Sequence, residues 1–358
     1  MKGRSRRKDR KFLGIWMLGI LVCLSGCEEY SDEEWYDAAE YTEEWQDDGY
    51  DEKLMVGEDE FLESFLVDED VDSAEEFGNG IMDGGEAVTE HSIWWDETGE
   101  WYGSSGKLEG KIAVVTILVN DTVSTWNLEE ETDFKLYSRV YNNLKIGCSW
   151  ISQVCAEYGR EVEFIWDWVE HSELLYRTTL SREIGSDYPN AYKDMQSFVE
   201  HYVDSENIKA NLGADGIIYM ICVDTPSDNT TASSTYAWKQ ESPCEYEMCF
   251  MLMNYKGQVN APATFAHEIL HTFGAPDLYY AGGRGITQEY VEYAKNARSN
   301  DIMRVTWDLD SNYYVYDRVC NEITDVTAYY LGLTDYSQTV EDWNLGESDY
   351  TDYGEEMQ

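Results

Sequence analysis

The sequence predicts an α/β domain in the C-terminal two-thirds of a 358-residue chain. Three observations predict it: a nearly continuous apolar run, a long amphipathic helical pattern beside it, and further β-rich runs separated by helical sequence. The run Lys111–Asn120 has the character of a strand buried on both faces. Over about 131–158, Leu136, Val140, Leu144, Cys148, Ile151 and Cys155 recur every three or four residues, so one face of a helix is apolar. Glu161–Trp168 reads as a second strand and about 189–210 as a second helix. Asp215–Val223 reads as a third strand and Tyr246–Asn254 as a fourth, edge strand. Strands alternating with long helices stack into helix and sheet layers around one core.

Composition excludes several classes of function. Apolar residues make up 43% and aromatic residues 14%, enough to build a core and so to exclude wholesale disorder. The formal charge is −47, from 25 basic and 72 acidic residues, which repels phosphate backbones and excludes nucleic-acid partners. No apolar run reaches the roughly 20 residues that a spanning helix needs.

The charge is unevenly placed. Residues 1–12 hold seven basic residues and one acid, followed by an apolar run from Phe12 to Gly26. A basic head and a short apolar segment read as a secretion signal over 1–26. The run closes with Leu24-Ser25-Gly26-Cys27, which resembles the lipobox of bacterial lipoproteins. That resemblance implies cleavage before Cys27, lipid on that residue, and a mature chain anchored at the outer face of a bacterial membrane. From Glu28 to Glu100 there are 29 acids against Lys53 alone. Residues 27–105 therefore read as a self-repelling, mostly disordered tether, with a reach of roughly 50 Å or more. Within it Phe61, Leu62, Phe65 and Leu66 make a short helical stripe, suited either to docking on the domain or to a pro-segment. The domain itself is expected over 106–358.

The chemistry is concentrated in Ala266-His267-Glu268-Ile269-Leu270-His271. Histidines four apart project from one face of a helix, one turn from each other, and neutral imidazoles held that way are a natural pair of zinc ligands. Glu268 lies beside them, free to act as a base on water at the metal. Pro262 suits the first turn of this helix, and Phe265, Ile269, Leu270 and Phe273 are expected to bury it. Three residues after His271, Gly274 can turn the chain in a left-handed conformation, and three residues later Asp277 offers an oxygen ligand.

The pattern HExxHxxGxxD resembles the metzincin clan of zinc peptidases. Asn300-Asp301-Ile302-Met303 resembles that clan's Met-turn, and Gly274–Tyr279 with Thr327–Gly332 resembles immune inhibitor A-type bacterial peptidases. The resemblance implies a metzincin-like catalytic domain with a mixed sheet, an active-site helix and a Met-turn. It implies a zinc metallopeptidase acting on protein or peptide substrates, with zinc on His267, His271 and Asp277, Glu268 as general base and Met303 beneath the metal. Of five histidines, at 91, 171, 201, 267 and 271, none follows the motif, so a downstream third ligand is a carboxylate. A later-helix alternative draws it from Glu289, Glu292 or Glu322. Many metzincins carry an oxyanion-assisting Tyr two residues after the turn Met, where this chain has Val305; Tyr313, Tyr314 or Tyr316 could take the role. Two other functions fit the same residues: a zinc-stabilised surface binding or adhesion module, and a zinc amidase acting on cell-wall or glycan amides.

Two groups of residues leave their role open. Six cysteines remain beyond Cys27, at 148, 155, 222, 244, 249 and 320; Cys244 and Cys249 are close enough for a local bridge, and buried free thiols fit equally. Asp308, Asp310 and Asn312 hint at calcium but lack the glycine and distal glutamate of an EF-hand loop, so a solvated turn is expected.

Overall fold

The computed structural model describes residues 104–346, apart from 186–187, 238–246 and 282–284. The signal run, Cys27, the acidic stretch with its Phe61–Leu66 stripe, and Cys244 lie outside the described residues. The chain order is β1 (Gly110–Asn120), α1 (Glu131–Glu157), β2 (Val162–Ile165), β3 (Leu175–Thr179), α2 (Tyr188–Tyr202), α3 (Ser205–Leu212), β4 (Gly216–Val223), β5 (Ser234–Ala237) and β6 (Glu247–Leu252). A small hairpin, β7 (Asn254–Tyr255) and β8 (Gln258–Val259), leads into α4 (Pro262–His271). Three more helices follow: α5 (Gln288–Asn296), α6 (Asp325–Tyr330) and α7 (Gln338–Asp342). No helix among the described residues is long and apolar enough to cross a membrane.

The architecture is mixed α/β. Strands run in the order β2-β1-β4-β6-β5, and β3 also pairs with β1, beyond the end of β2. All pairings are parallel except β5 on β6. The strand β1 is paired on both edges, and Ile112–Val119 are buried throughout, which is why its sequence is apolar without alternation.

Three sequence expectations are corrected. The predicted edge strand, β6, is interior: it is fully buried between β4 and β5, and the edge is β5. Neither β5 (Ser-Thr-Tyr-Ala) nor β3 (Leu-Tyr-Arg-Thr-Thr) was expected, because each is short and polar and lacks an apolar run. The single helix expected over 189–210 is two helices. Asp204 stops the first and caps the second by accepting the Asn207 amide at 3.2 Å, an alternative to continuing the ladder that Asp side chains favour.

The position of α4 follows from its contacts with α1. Those two helices cross at Gly147, where an added Cβ would lie 3.1 Å from the Pro262 carbonyl and 3.4 Å from the Ala266 nitrogen. The buried Asn143 donates to the Asn260 carbonyl at 2.9 Å, tying the approach to α4 onto α1. Asn260 in turn donates to the Leu252 carbonyl and the Ser233 hydroxyl, at 2.6 and 2.8 Å. The start of α4 is thereby fixed between the long helix and the sheet. Phe265, Ile269, Leu270 and Phe273 are fully buried, each contributing about 1.5–3 kcal/mol, which anchors the helix despite the polar residues it carries.

The described cysteines 148, 155, 222, 249 and 320 are free thiols, four of them buried; the bridge considered between Cys244 and Cys249 involves a residue outside the described ones. The 308–312 segment is a turn in which Asp308 accepts from Ser311 and Asp310, as expected for a solvated loop.

Candidate metal centre

Every residue of α4 is buried, and Pro262 opens it where no backbone donor is needed. His267 and His271 face each other from successive turns, their Nε2 atoms 3.1 Å apart. After His271 the helix ends and the chain reverses through Gly274, whose φ of +91° only glycine adopts without strain. The Gly274 amide donates to the His271 carbonyl at 2.7 Å and the Ala275 amide to the Leu270 carbonyl at 3.2 Å. This turn returns Asp277 to the helix it left. Its Oδ1 lies 3.2 Å from His267 Nε2 and 3.3 Å from His271 Nε2.

The resulting triangle fits a metal ion. Donors at the corners of a tetrahedron with bonds of about 2.0–2.1 Å stand about 3.3 Å apart, close to the three distances found here. Asp277 Oδ1 is buried and has no hydrogen-bond partner among the described residues. Its neighbours are the two imidazole nitrogens, and with Glu268 also within reach of both histidines, either carboxylate could complete a metal site. The donor set of two nitrogens and a carboxylate oxygen suits a borderline divalent ion such as zinc, without selecting it over others.

Backbone carbonyls fix the histidine tautomers. His267 Nδ1 lies 2.9 Å from the Ile302 carbonyl, and His271 Nδ1 lies 2.7 Å from the Ala275 carbonyl. A carbonyl only accepts, so each Nδ1 carries a proton and Nε2 is the nitrogen left for a metal. Burial pushes the His271 pKa down, but the Asp277 and Glu268 charges and the Ala275 carbonyl outweigh it and hold it at about 9, so near neutral pH the ion-free His271 carries a second proton on Nε2 that a bound ion would displace. Burial raises Asp277, yet the two imidazoles bring it well below the usual carboxylate range. Asp277 is thus an anion at any working pH.

Glu268 is 3% exposed, and its carboxylate lies within 4.8 Å of both histidine ligand atoms. The Thr235 hydroxyl, on the edge strand β5, sits 2.8 Å from Glu268 Oε2 and 2.7 Å from the Glu268 carbonyl. The hydroxyl's single proton is shared between these two acceptors, so the carboxylate is held near the sheet side. Thr235 was not legible in the sequence, since β5 itself was not.

The expected Met-turn residue, Met303, is fully buried, and the turn acts on the site through its backbone. The Ile302 carbonyl holds His267, and the Met303 carbonyl accepts the Leu278 amide at 2.9 Å, pinning the residue after Asp277. The alternative ligands do not join the cluster. Glu289 and Glu292 lie on α5, and Glu322 is exposed in an extended bridge with Asp301, not on a helix as expected.

Among the tyrosines, Tyr316 donates to the Val259 carbonyl at 2.9 Å, and Tyr313 is largely exposed. Unexpectedly, Tyr279 stands at the site. Its ring is roughly parallel to that of His267, with centroids 6.5 Å apart, and burial together with the nearby Asp277 and Glu268 charges pushes its pKa up. Tyr279 is 52% exposed, so it lines the approach to the cluster. The spacing Asp277-Leu-Tyr279 was the available signal, since it places the tyrosine two residues from a ligand.

Compared with known proteins, the chain matches no family model, no curated protein and no solved structure.

If Asp277 is the third ligand, Asp277→Ala leaves two imidazoles, and zinc affinity falls by more than the roughly 10–100-fold typical of lost outer partners. Glu289→Ala, Glu292→Ala and Glu322→Ala bind zinc as the parent does. Zinc titration against a competing chelator, on variants shown to be folded, checks this. Retention of the metal by Asp277→Ala contradicts the assignment.

Proposed function

We propose that the chain is a zinc metallopeptidase of metzincin-like construction, exported and lipid-anchored through Cys27, that cleaves protein or peptide substrates. One observation carries the reading: three ligand atoms converge with tetrahedral spacing while a second acid, Glu268, is held beside them by Thr235. A purely structural metal site has no use for an acid fixed next to the ligands, whereas hydrolysis needs a base there.

A zinc ion held by His267, His271 and Asp277 would supply Lewis acidity, polarising the scissile carbonyl and lowering the pKa of water. The chain's own residues do the rest. Glu268 takes a proton from the attacking water and returns it to the leaving amine. Thr235 holds the Glu268 carboxylate beside the histidines through its contact with Oε2. The carbonyls of Ile302 and Ala275 keep both imidazoles in the tautomer that binds metal. Tyr279, exposed beside His267, offers a hydroxyl near the site, where the Met-turn position of Val305 carries none.

Two outcomes are expected for the mature protein. Glu268→Gln retains zinc but loses cleavage of a peptide library by about 10²–10⁴-fold, as removal of a general base does; parent-like turnover refutes the role, and loss of zinc makes Glu268 a ligand. Cys27→Ala moves the protein from the membrane fraction to the soluble one, because the acidic chain has no other affinity for lipid; unchanged membrane association contradicts the anchor.

A further inference from the structure

We propose that Asp301 is a positioning residue for the metal centre, acting through the turn that follows it on both His267 and Asp277. The inference rests on the metal centre described above and goes beyond it, because Asp301 touches none of the ligands.

Asp301 is fully buried and accepts four hydrogen bonds. Its Oδ1 takes the Met303 amide at 2.8 Å and the Thr327 hydroxyl at 2.9 Å. Its Oδ2 takes the Thr324 amide at 2.9 Å and the Thr324 hydroxyl at 2.5 Å. Its own carbonyl accepts the amides of Arg304 and Val305, at 2.9 and 3.0 Å, which closes the turn. Within that turn the two remaining carbonyls, of Ile302 and Met303, are the ones that hold His267 Nδ1 and the Leu278 amide. One side chain therefore fixes the peptide planes that aim a histidine and seat the loop carrying Asp277.

The chemistry explains why a carboxylate stands here. All four partners are donors, and only an acceptor-only group satisfies them all. An amide of the same shape would set an NH2 against an N–H or O–H. Burying a carboxylate costs several kcal/mol unless its lone pairs are filled, and here they are. Thr324 and Thr327 belong to the start of α6, so the same group docks that helix onto the turn.

Asp325, exposed at the start of the same helix, is a control for helix docking that does not reach the turn. It is also hydrogen-bonded, accepting from the Ser337 hydroxyl at 2.6 Å and the Thr339 hydroxyl at 3.1 Å, but it serves α7 and not the turn.

The test is zinc titration of the mature protein against a competing chelator, with thermal melts and ¹⁵N spectra of the histidine rings. Asp301→Asn is expected to weaken zinc binding by about 10–100-fold, the range for partners outside the ligand shell. It should also shift the Nδ1–H signal of His267. Asp325→Asn should lower the melting temperature and leave both zinc affinity and that signal unchanged. Should Asp301→Asn not fold, Thr327→Val decides, since it removes one donor and keeps the charge; a several-fold weaker affinity supports the role. Parent-like affinity in the folded variant overturns the proposal, as does an equal loss in Asp325→Asn. A parent protein that takes up no zinc refutes the metal centre itself, which is a different result.

Discussion

Two hydrogen bonds from imidazole Nδ1 to backbone carbonyls control everything the site can do. A buried histidine left to itself can place its proton on either nitrogen, and a proton on Nε2 excludes a metal. Ile302 and Ala275 remove that freedom, at 2.9 and 2.7 Å. Both carbonyls lie outside α4, one in the Asp301–Val305 turn and one just past Gly274. The ligand helix therefore works only when those two segments are folded against it. Asp277 arrives on the same chain reversal that delivers the Ala275 carbonyl, so the φ of Gly274 sets a ligand and a tautomer together.

The rest of the fold pays the electrostatic cost of that arrangement. Glu268 and Asp277 are both nearly buried beside two imidazoles, and a buried charge costs several kcal/mol unless a partner neutralises it. A divalent cation held by these residues would offset both carboxyl groups, where the Thr235 hydroxyl and the imidazoles alone offset them in part. The helix can carry such a load because its apolar face is sealed on the sheet, and because Gly147 lets α1 approach to backbone contact. The sheet supplies the second wall, through Thr235 on the edge strand.

How much of this the sequence disclosed depended on how local the signal was. The buried strand β1 and the 27-residue α1 were legible because apolar periodicity reports burial directly. His267, Glu268, His271, Gly274 and Asp277 lie within eleven residues, so one helix and one turn bring them together, and spacing alone suggested them. Thr235 and Asp301 were not legible as site-shaping residues, because their contacts span 33 residues to Glu268 and 23 and 26 residues to Thr324 and Thr327. Such pairings depend on topology, and no periodicity announces them. The short strands β3 and β5 were missed for the opposite reason: each is too polar and brief to carry a pattern of its own. Met303 was singled out for its side chain, whereas the turn's visible contribution to the site is made by carbonyls, which every residue has.

In the proposed centre, two imidazole nitrogens and one carboxylate oxygen bind a single metal ion. X-ray absorption at the zinc edge of the purified, zinc-loaded protein tests it most directly. The expected result is a four-coordinate ion with nitrogen and oxygen donors only, at about 2.0–2.2 Å, including the scattering pattern of two imidazole rings. A sulfur shell at about 2.3 Å, a spectrum without imidazole scattering, or a protein that retains no stoichiometric metal would contradict it.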